Sequence, residues 1–458
     1  MALKFYNTLT RTKEDFIPIK KDEVSFYSCG PTVYNYPHIG NYRAYIFADT
    51  LKRVLQYAGY KVKHIMNLTD IDDKTIRDSQ KEGKTLKEFT EFYTEAFYKD
   101  IKSLNIINPQ KFTKATDYVN EMVDLTEKLI KKGLAYKSED GSVYFNIKKF
   151  PNYGKLSHLV LEEQKENASG RMKSDEYGKD NVHDFALWKS WDENDGDVFW
   201  TTLLGKGRPG WHIECSAMSI ANLGEQIDIH TGGVDNIFPH HENEIAQSEG
   251  VTGKPFVKYW MHNEWILVDQ KKMSKSAKNF YTLRDVIDQG VDPLAYRFWL
   301  LMSNYRTRVN FVWEALEGAE TALKRLYNLY LELGSKVGEV NIEYKKKFKE
   351  FVEDDLDTPR ALTVLWDVLK DETLSPSDKK ATVLDFDKVL GLKFEEAKNK
   401  LEQIKSDEIP KEVKLLILER EQARVKKDFS KSDELRKKIN ALGYEVKDTA
   451  EGQKVVKI

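Results

Sequence analysis

The stretch DNIFPHHENEIA holds two adjacent histidines and two glutamates. Residues four positions apart lie on the same face of a helix, which pairs His240 with Glu244. Pro239 suits the first turn of such a helix, because its missing N–H costs nothing there, and Asp235 or Asn236 is placed to cap it. A neutral imidazole and a carboxylate on one helical face make half of a tetrahedral zinc site. Solvated helix side chains would give the same pattern.

A second candidate is the loop CGPTVYNYPHIGN, which precedes an expected helix. The start of a helix offers free backbone N–H groups and the positive end of the helix dipole, so His38 and Asn41 are candidates to bind phosphate. Gly40 would let the backbone approach a flat ligand closely. The alternative is a loop histidine with an ordinary helix cap.

The third candidate is the loop KKMSKS, which follows the apolar run WILVD. Lysines such as Lys272 and Lys275, spaced by small and hydroxyl residues, suit the outer phosphates of a nucleotide and the charge of a leaving pyrophosphate. Taken alone, the motif is an ordinary basic loop.

The segment TDIDDK has the composition of a metal cluster, with Asp70, Asp72 and Asp73. Helix capping and turn formation are the favoured roles for these three carboxylates, because aspartate is typical of both positions.

These motifs need a scaffold, and the surrounding residues predict an α/β fold. Residues 23–29 alternate as a strand does, residues 42–59 have helical spacing and stop at a glycine, and YKVKHIMN reads as a second strand. Strand, helix and strand make a βαβ unit, which predicts a Rossmann-type parallel sheet.

Residues 117–206 do not continue the alternation of strand and helix, and they are predicted to be an insertion between two halves of that sheet. They contain a helical stretch (DYVNEMVDLTEKLIKKG), a hairpin (YKSEDGSVYFNI) and a polar segment expected to be a surface loop (EEQKENASGRMKSDEYGKDNVHD). Alternation returns over residues 259–269, the chain is helical beyond about residue 294, and a short β-like segment ends it.

Composition limits the class of protein. The chain has 458 residues, 40% hydrophobic and 32% charged, which suits several domains around a large core. We find no signal-peptide pattern and no apolar run of membrane length, so a cytoplasmic protein without membrane contact is expected. Cys29 and Cys215 are too few for a disulfide framework. Without other information, each is expected to be a small buried hydrophobic residue.

Net charge is −2, yet residues 411–458 carry 13 Lys/Arg against 9 Asp/Glu, a balance of +4. This asymmetry favours a polyanion at the C-terminal end, with solvated helix faces as the alternative.

Taken together, the motifs resemble those of a known family. His-Ile-Gly at a first βα turn and Lys-Met-Ser-Lys-Ser more than 200 residues later resemble the two signatures of class I aminoacyl-tRNA synthetases. Within that class, the segments YSCGPTVYNYPHIGN, NLTDIDDK, GRPGWHIECSAM and DIHTGGVDNIFPHHENEIAQ are similar to cysteinyl-tRNA synthetases, and the likeness runs from residue 3 to the C-terminal helices.

The resemblance implies a set of site residues. One zinc ion per subunit would be held by the family's four ligands, which fall on Cys29, Cys215, His240 and Glu244. His241 and Glu242 would then take supporting or surface roles. Residues at cysteine-binding positions are Gly30, Thr69, Trp211 and His230, the last with a buried, satisfied histidine as its alternative. Residues at ATP-binding positions are Pro31, Thr32, His38, Gly40, Asn41, Asp235 and Lys275, with Mg²⁺ expected; the catalytic set is His38, Asn41, Lys272 and Lys275.

The resemblance also implies the domains and partners. We expect a Rossmann catalytic domain (1–116 and 207–250), an inserted connective domain (117–206), a signature-loop and stem-contact region (251–315), a helical bundle (316–400) and an anticodon-binding domain with a small β tail (401–458). The expected partners are cysteine tRNA, L-cysteine and ATP, with the enzyme acting as a monomer.

Two departures and two rival functions remain. Asn41 stands where the family signature has a second histidine, and Lys278 stands where many relatives have glycine. One rival is a zinc-dependent ligase that joins cysteine to an amino sugar, which lacks the tRNA-reading tail. The other is a nucleotide-binding regulator without catalysis.

Overall fold

The computed structural model describes residues 3–158, 184–273, 279–407, 411–425, 428–449 and 452–457. The first part of the chain alternates strands and helices as predicted. In chain order it contains β1 (Lys4–Asn7), β2 (Thr12–Asp15), β3 (Glu23–Ser28), α1 (Ile39–Tyr57), β4 (Lys61–Leu68), α2 (Asp73–Lys81), α3 (Leu86–Ser103) and β5 (Lys111–Lys114).

The inserted segment forms its own antiparallel sheet. It contains α4 (Val119–Lys131), β6 (Ala135–Lys137), β7 (Val143–Phe145), β8 (Phe185–Ser190), β9 (Trp200–Thr202) and β10 (Gly205–Pro209), with sheet order β6-β7-β8-β10-β9. The predicted helix and the β6–β7 hairpin are confirmed. The expected polar surface loop falls almost wholly on residues 159–183, outside the described residues.

The chain then returns to the parallel sheet. This part contains α5 (Trp211–Leu223), β11 (Ile227–Gly233), α6 (Glu242–Thr252), β12 (Val257–Asn263), β13 (Ile266–Val268), β14 (Lys271–Lys272), α7 (Leu283–Asp288), α8 (Pro293–Leu301) and β15 (Val309–Phe311). The alternation over residues 259–269 is divided between two sheets, because the chain leaves the parallel sheet after Asn263 and β13 pairs with β14 and β15 instead.

The central sheet has the order β12-β11-β3-β4-β5, and each neighbouring pair is parallel. The predicted Rossmann-type sheet is therefore confirmed. The carboxyl ends of β3, β4 and β11 lie side by side, and ligands of such sheets bind beyond those ends.

The remainder is helical, also as predicted. It contains α9 (Trp313–Glu332), α10 (Ile342–Val352), α11 (Thr358–Lys370), α12 (Pro376–Leu390), α13 (Ala397–Asp407), α14 (Lys411–Val425) and α15 (Phe429–Ala441), then a hairpin of β16 (Tyr444–Thr449) and β17 (Gly452–Lys457). The exact domain limits stay a prediction. No helix among the described residues is long and apolar enough to cross a membrane.

A buried ionic cluster joins α1 to the helical region. Asp49 lies 2.7 Å from Arg53 Nε and 2.6 Å from Arg297 Nη2, and all three side chains are at most 8% exposed. Burial raises the pKa of Asp49, but the two arginine charges together lower it by more than burial raises it. The pKa of Asp49 is therefore below its usual value. Gly391 closes α12 at φ +66°, and a Cβ there would lie 2.8 Å from Arg297 Nη2. The cluster therefore fixes the helix that begins at the phosphate-loop motif.

Candidate active site

Four donor side chains meet beyond the carboxyl ends of β3 and β11. Cys29 follows β3, Cys215 lies in α5, and His240 and Glu244 lie before and within α6. One ligand atom from each of these four residues can be chosen so that all lie within 4.8 Å of one another. His240 Nε2 is 3.1 Å from Glu244 Oε1, so the pair selected from spacing does share one face.

The predicted start of this helix is wrong. Phe238 is extended (φ −135°, ψ 133°) and interrupts the helical turn over residues 237–241, and neither Asp235 nor Asn236 caps α6, which begins at Glu242. His240 and Glu244 still face each other, because the backbone is helical from His240 onward.

The electrostatics of the four donors suit a metal. Burial lowers the pKa of His240 to about 3, which leaves a neutral imidazole. Glu244 Oε1 is buried and, among the described residues, has no aligned hydrogen-bond donor. The pKa of Cys215 is raised by its hydrogen bond with Cys29 and by burial. Two thiol sulfurs, an imidazole and a carboxylate form a donor set typical of zinc, so these residues fit that ion.

His240 is also held from its other ring nitrogen. His212 Nδ1 lies 3.0 Å from His240 Nδ1, so Nε2 is the nitrogen that faces the donor group. Partners of this kind orient metal-binding imidazoles and fix their tautomer.

His230 and His241 lie on the inner side of the same group. His230 Nε2 is 2.9 Å from Glu244 Oε2, and its side chain is fully buried. His241 Nε2 is 3.3 Å from Cys29 Sγ, and its Nδ1 is 2.8 Å from His262 Nε2. With Cys29 and Glu244, these two histidines form a second, overlapping group of donors. A surface role for His241 or Glu242 is wrong, since both are fully buried.

Two adjoining cavities of about 290 and 170 Å³ lie beside this group of four donors; Cys29 lines both of them and His240 lines the larger. Trp211 is 39% exposed and stacks on His240 with ring centroids 4.4 Å apart, so it forms one wall. The predicted substrate residues that line one or both cavities are Gly30, Pro31, Thr32, His38, Gly40, Asn41, Thr69, Trp211 and Asp235. His230 is not among the lining residues.

A glycine and two hydrogen bonds shape the wall of the cleft next to Cys29. Gly30 N donates to Asn67 Oδ1 at 2.7 Å, and a Cβ on Gly30 would lie 1.8 Å from Asn67 O, so no side chain fits there. Thr69 Oγ1 donates to the buried Glu214 Oε2 at 2.9 Å. Burial raises the pKa of Glu214 well above its usual value.

The phosphate-loop motif forms the start of α1. His38 Nδ1 accepts from Asn41 N at 3.2 Å, while Asn41 Oδ1 accepts from His38 N at 3.0 Å, which is a reciprocal helix cap. Asparagine at this departure from the family pattern therefore has a structural role. Ile39 N donates to Tyr281 O at 2.8 Å, so residues just after the lysine loop pair with the first motif.

The lysine loop is only partly described. Lys272 lies on β14, and Met273 Cε would be 2.6 Å from a Cβ on Gly40. Lys275 and the departure at Lys278 lie outside the described residues.

Of the three aspartates of TDIDDK, only Asp72 takes the expected capping role, and the other two bind residues distant in the sequence. Asp72 caps α2 by accepting from Lys74 N, Asp70 accepts from Thr116, and Asp73 pairs with Lys189 and Arg208.

Sequence reasoning did not identify several lining residues. Trp265 lines the smaller cavity and donates from Nε1 to Asp235 Oδ1 at 3.2 Å, and Asn263 and Glu264 lie beside it. Asn263 ends β12 and the other two residues follow it directly, and this position at the carboxyl end of a parallel strand was the signal in the sequence.

Comparison with known proteins identifies the family. Residues 15–321 match the family described as tRNA synthetases class I (C) catalytic domain, and residues 406–455 match the cysteinyl-tRNA ligase anticodon binding domain. The second match supports a tRNA ligase over the amine ligase, which lacks such a domain.

Full-length relatives agree. The cysteine–tRNA ligase of Chlamydia muridarum is 45% identical over 488 residues, covering 100% of each chain. That of Brachyspira hyodysenteriae is 51% identical over 377 residues, covering 80% of this chain and 79% of the relative. In fold, the chain is similar to Mycobacterium tuberculosis methionyl-tRNA synthetase in complex with methionyl-adenylate, with a TM-score of 0.56 at 13% identity over 81% of this chain and 90% of that one. The chain therefore belongs to the cysteine–tRNA ligase family of class I aminoacyl-tRNA synthetases and is an aminoacyl-tRNA ligase.

Proposed function

We propose that Cys29, Cys215, His240 and Glu244 hold one zinc ion, which takes the thiolate of the cysteine substrate as a further ligand. The observation that carries this proposal is the convergence of four buried or half-buried donors within 4.8 Å, one of them a buried carboxylate oxygen for which the described residues supply no aligned hydrogen-bond donor. When bound, zinc favours a thiolate strongly over a hydroxyl and lowers the pKa of the thiol.

Such a site accounts for selection of cysteine over serine. An apolar pocket separates near-isosteres by only about 10- to 200-fold, whereas a site built around a polar substrate group reaches roughly 10⁴-fold. Trp211 closes the pocket beside His240. Gly30 and Thr69 line the space next to Cys29, where the amino and carboxylate groups of cysteine would lie, and His230 supports Glu244 from behind.

Adenylate formation depends on positioning and charge in this scheme. The cysteine carboxylate attacks the α-phosphorus of ATP, brought in with Mg²⁺, and pyrophosphate leaves. His38 and Asn41 would contact the phosphates from the start of α1, and Lys272 and Lys275 would hold the leaving pyrophosphate. Pro31, Thr32, Gly40 and Asp235 would shape the nucleotide site, since all four line the cavities.

The C-terminal residues would bind the anticodon region of cysteine tRNA. The described part of residues 401–458 forms helices and a hairpin. The sequence of residues 411–458 has a net positive charge, which suits phosphate contacts. We further propose that the chain acts as a monomer and that it acts in the cytoplasm, where tRNA and ATP are available.

Metal analysis of variants tests the zinc site. His240→Ala and Glu244→Ala should lower bound zinc and raise the KM for cysteine in pyrophosphate exchange by at least about 100-fold, while the KM for ATP stays within about twofold. Glu249→Gln, on the same helix but outside the donor group, is the matched control. Unchanged zinc content in both alanine variants would refute the assignment.

A further inference from the structure

One buried carboxylate beside the donor group has four partners from the inserted segment. Glu242 is fully buried at the start of α6. Its Oε1 accepts from Gly154 N at 2.9 Å. Its Oε2 accepts from Leu156 N at 3.0 Å, Ser157 N at 2.8 Å and Ser157 Oγ at 2.9 Å. Both oxygens are thus committed to residues that lie about 85 positions earlier in the chain.

The same segment contacts α6 at two further points. Tyr153 Oη donates to Asn243 Oδ1 at 2.5 Å, and Lys155 Nζ lies 2.5 Å from Glu249 Oε2. Farther along the helix, Gly250 packs closely against the insertion, because a Cβ there would lie 2.9 Å from Leu134 Cδ1. The insertion therefore packs along the whole length of α6.

Among the α6 residues that contact the insertion, Glu242 is the one that lies between two of the proposed zinc ligands in the sequence. It follows His240 by two positions and precedes Glu244 by two, so its anchorage limits movement of both side chains. A second route joins the insertion to the same donors, since the Phe185 ring packs edge-on against His212, which bonds to His240.

We propose that Glu242 is a positioning residue for thiol recognition. By fastening the segment 153–157 to the first turn of α6, its carboxylate fixes His240 and Glu244 in the donor arrangement. Recognition of the substrate sulfur then depends on correct docking of the inserted domain. This inference deepens the zinc site proposed above and rests on it.

Glutamine at this position is the informative change, because it keeps the size of the side chain but presents an N–H₂ group to backbone N–H donors. Glutamine has one acceptor oxygen where glutamate has two. At least one of the donors that now bind the carboxylate therefore loses its acceptor. We expect the KM for cysteine to rise about tenfold and zinc to be lost to a chelator about tenfold faster, a loss typical of one charged hydrogen bond.

The experiment compares Glu242→Gln and Ser157→Ala with Lys155→Met as control. Ser157→Ala removes the hydroxyl, with its bond to Glu242 and its longer contact with Gly154 O, but keeps the backbone N–H bond, so it should fold and raise the cysteine KM about threefold. Lys155→Met breaks a partly exposed ion pair near the other end of α6. It should leave the KM for cysteine and the rate of zinc release within about twofold of the wild-type values. The assays are pyrophosphate exchange at varied cysteine and ATP, release of zinc to a chromogenic chelator, and the thiolate charge-transfer band of the cobalt-loaded protein.

A selective rise in the cysteine KM, with a changed cobalt band and faster zinc release, would support the proposal. Wild-type values for both Glu242→Gln and Ser157→Ala would overturn it, and so would equal rises in the KM for cysteine and for ATP, which indicate general loosening. A wild-type protein that contains no zinc would instead refute the metal site itself.

Discussion

Replacing Gly40 by alanine is expected to separate stability from catalysis. Gly40 is the second residue of α1, in the turn that His38 caps. A Cβ at this position would lie 2.6 Å from Met273 Cε and 2.9 Å from both Cε1 and Nδ1 of His38. Ordinary carbon contacts need about 3.5–4.0 Å, so each neighbour must move by roughly 1 Å.

The two neighbours differ in how easily they can move. Met273 is unbranched and ends in a flexible thioether, so it can move aside at little cost. The His38 ring is fixed, because its Nδ1 accepts from Asn41 N in the reciprocal cap. Alanine stabilises a helix by up to about 1 kcal/mol relative to glycine, which offsets part of the strain. We therefore expect little change in the free energy of unfolding, but a displaced His38 ring. A misplacement of about 1 Å in a reacting centre can lower the rate about 100-fold.

Pyrophosphate exchange at saturating cysteine and ATP measures this effect, with urea unfolding alongside. Gly318→Ala is the matched control, because Gly318 lies inside α9 and a Cβ there meets open space. The control should gain about 0.5–1 kcal/mol in stability and keep its exchange rate. Gly40→Ala should retain its zinc while its exchange rate falls. An exchange rate equal to that of the wild type would refute the argument that His38 must keep its position.

Three further changes are expected to have measurable results. Deleting residues 411–458 should spare pyrophosphate exchange but lower tRNA charging at least about tenfold, and equal charging by the shortened chain would show that this region does not bind tRNA. Gly391→Ala should lower the free energy of unfolding by about 1–3 kcal/mol in urea, because φ is +66° and Arg297 is in the way. Asp49→Asn should cost about 3–5 kcal/mol, since it leaves a buried arginine without its partner charge. Because the pKa of Asp49 is lowered in the folded protein, wild-type stability should fall as pH drops through that lowered pKa, and the asparagine variant should lack this fall.

Local patterns predicted the elements well where one physical rule dominates. The strand over residues 23–28 alternates, and the α1 helix ends before Gly59, which has φ +100°. The pair of His240 and Glu244 was also predictable, although the start of the helix was not. Spacing depends only on helical backbone from His240 onward, whereas the extended Phe238 reflects the packing of the preceding turn.

The rest of the site depends on contacts that no local pattern encodes. Cys29 and Cys215 are 186 positions apart (29 to 215) and meet because β3 pairs with β11 while α5 packs against the sheet. Spacing left both as ordinary buried thiols, and only the resemblance joined them to the histidine and glutamate. The anchoring of Glu242 by residues 154–157 left no signal in the sequence, because most of its partners are backbone N–H groups, which every residue except proline provides.

The order of strands in the parallel sheet also determines when they can pair during synthesis. The strand β3 ends at residue 28, but its neighbour β11 begins only at residue 227, so 199 residues must be added before the two can pair (28 to 227). At roughly 5–20 residues per second, β3 waits about 10–40 seconds on the ribosome with one edge open. An open apolar strand edge invites pairing with other chains. The nascent N-terminal half is therefore the stage at which this protein most needs protection from aggregation.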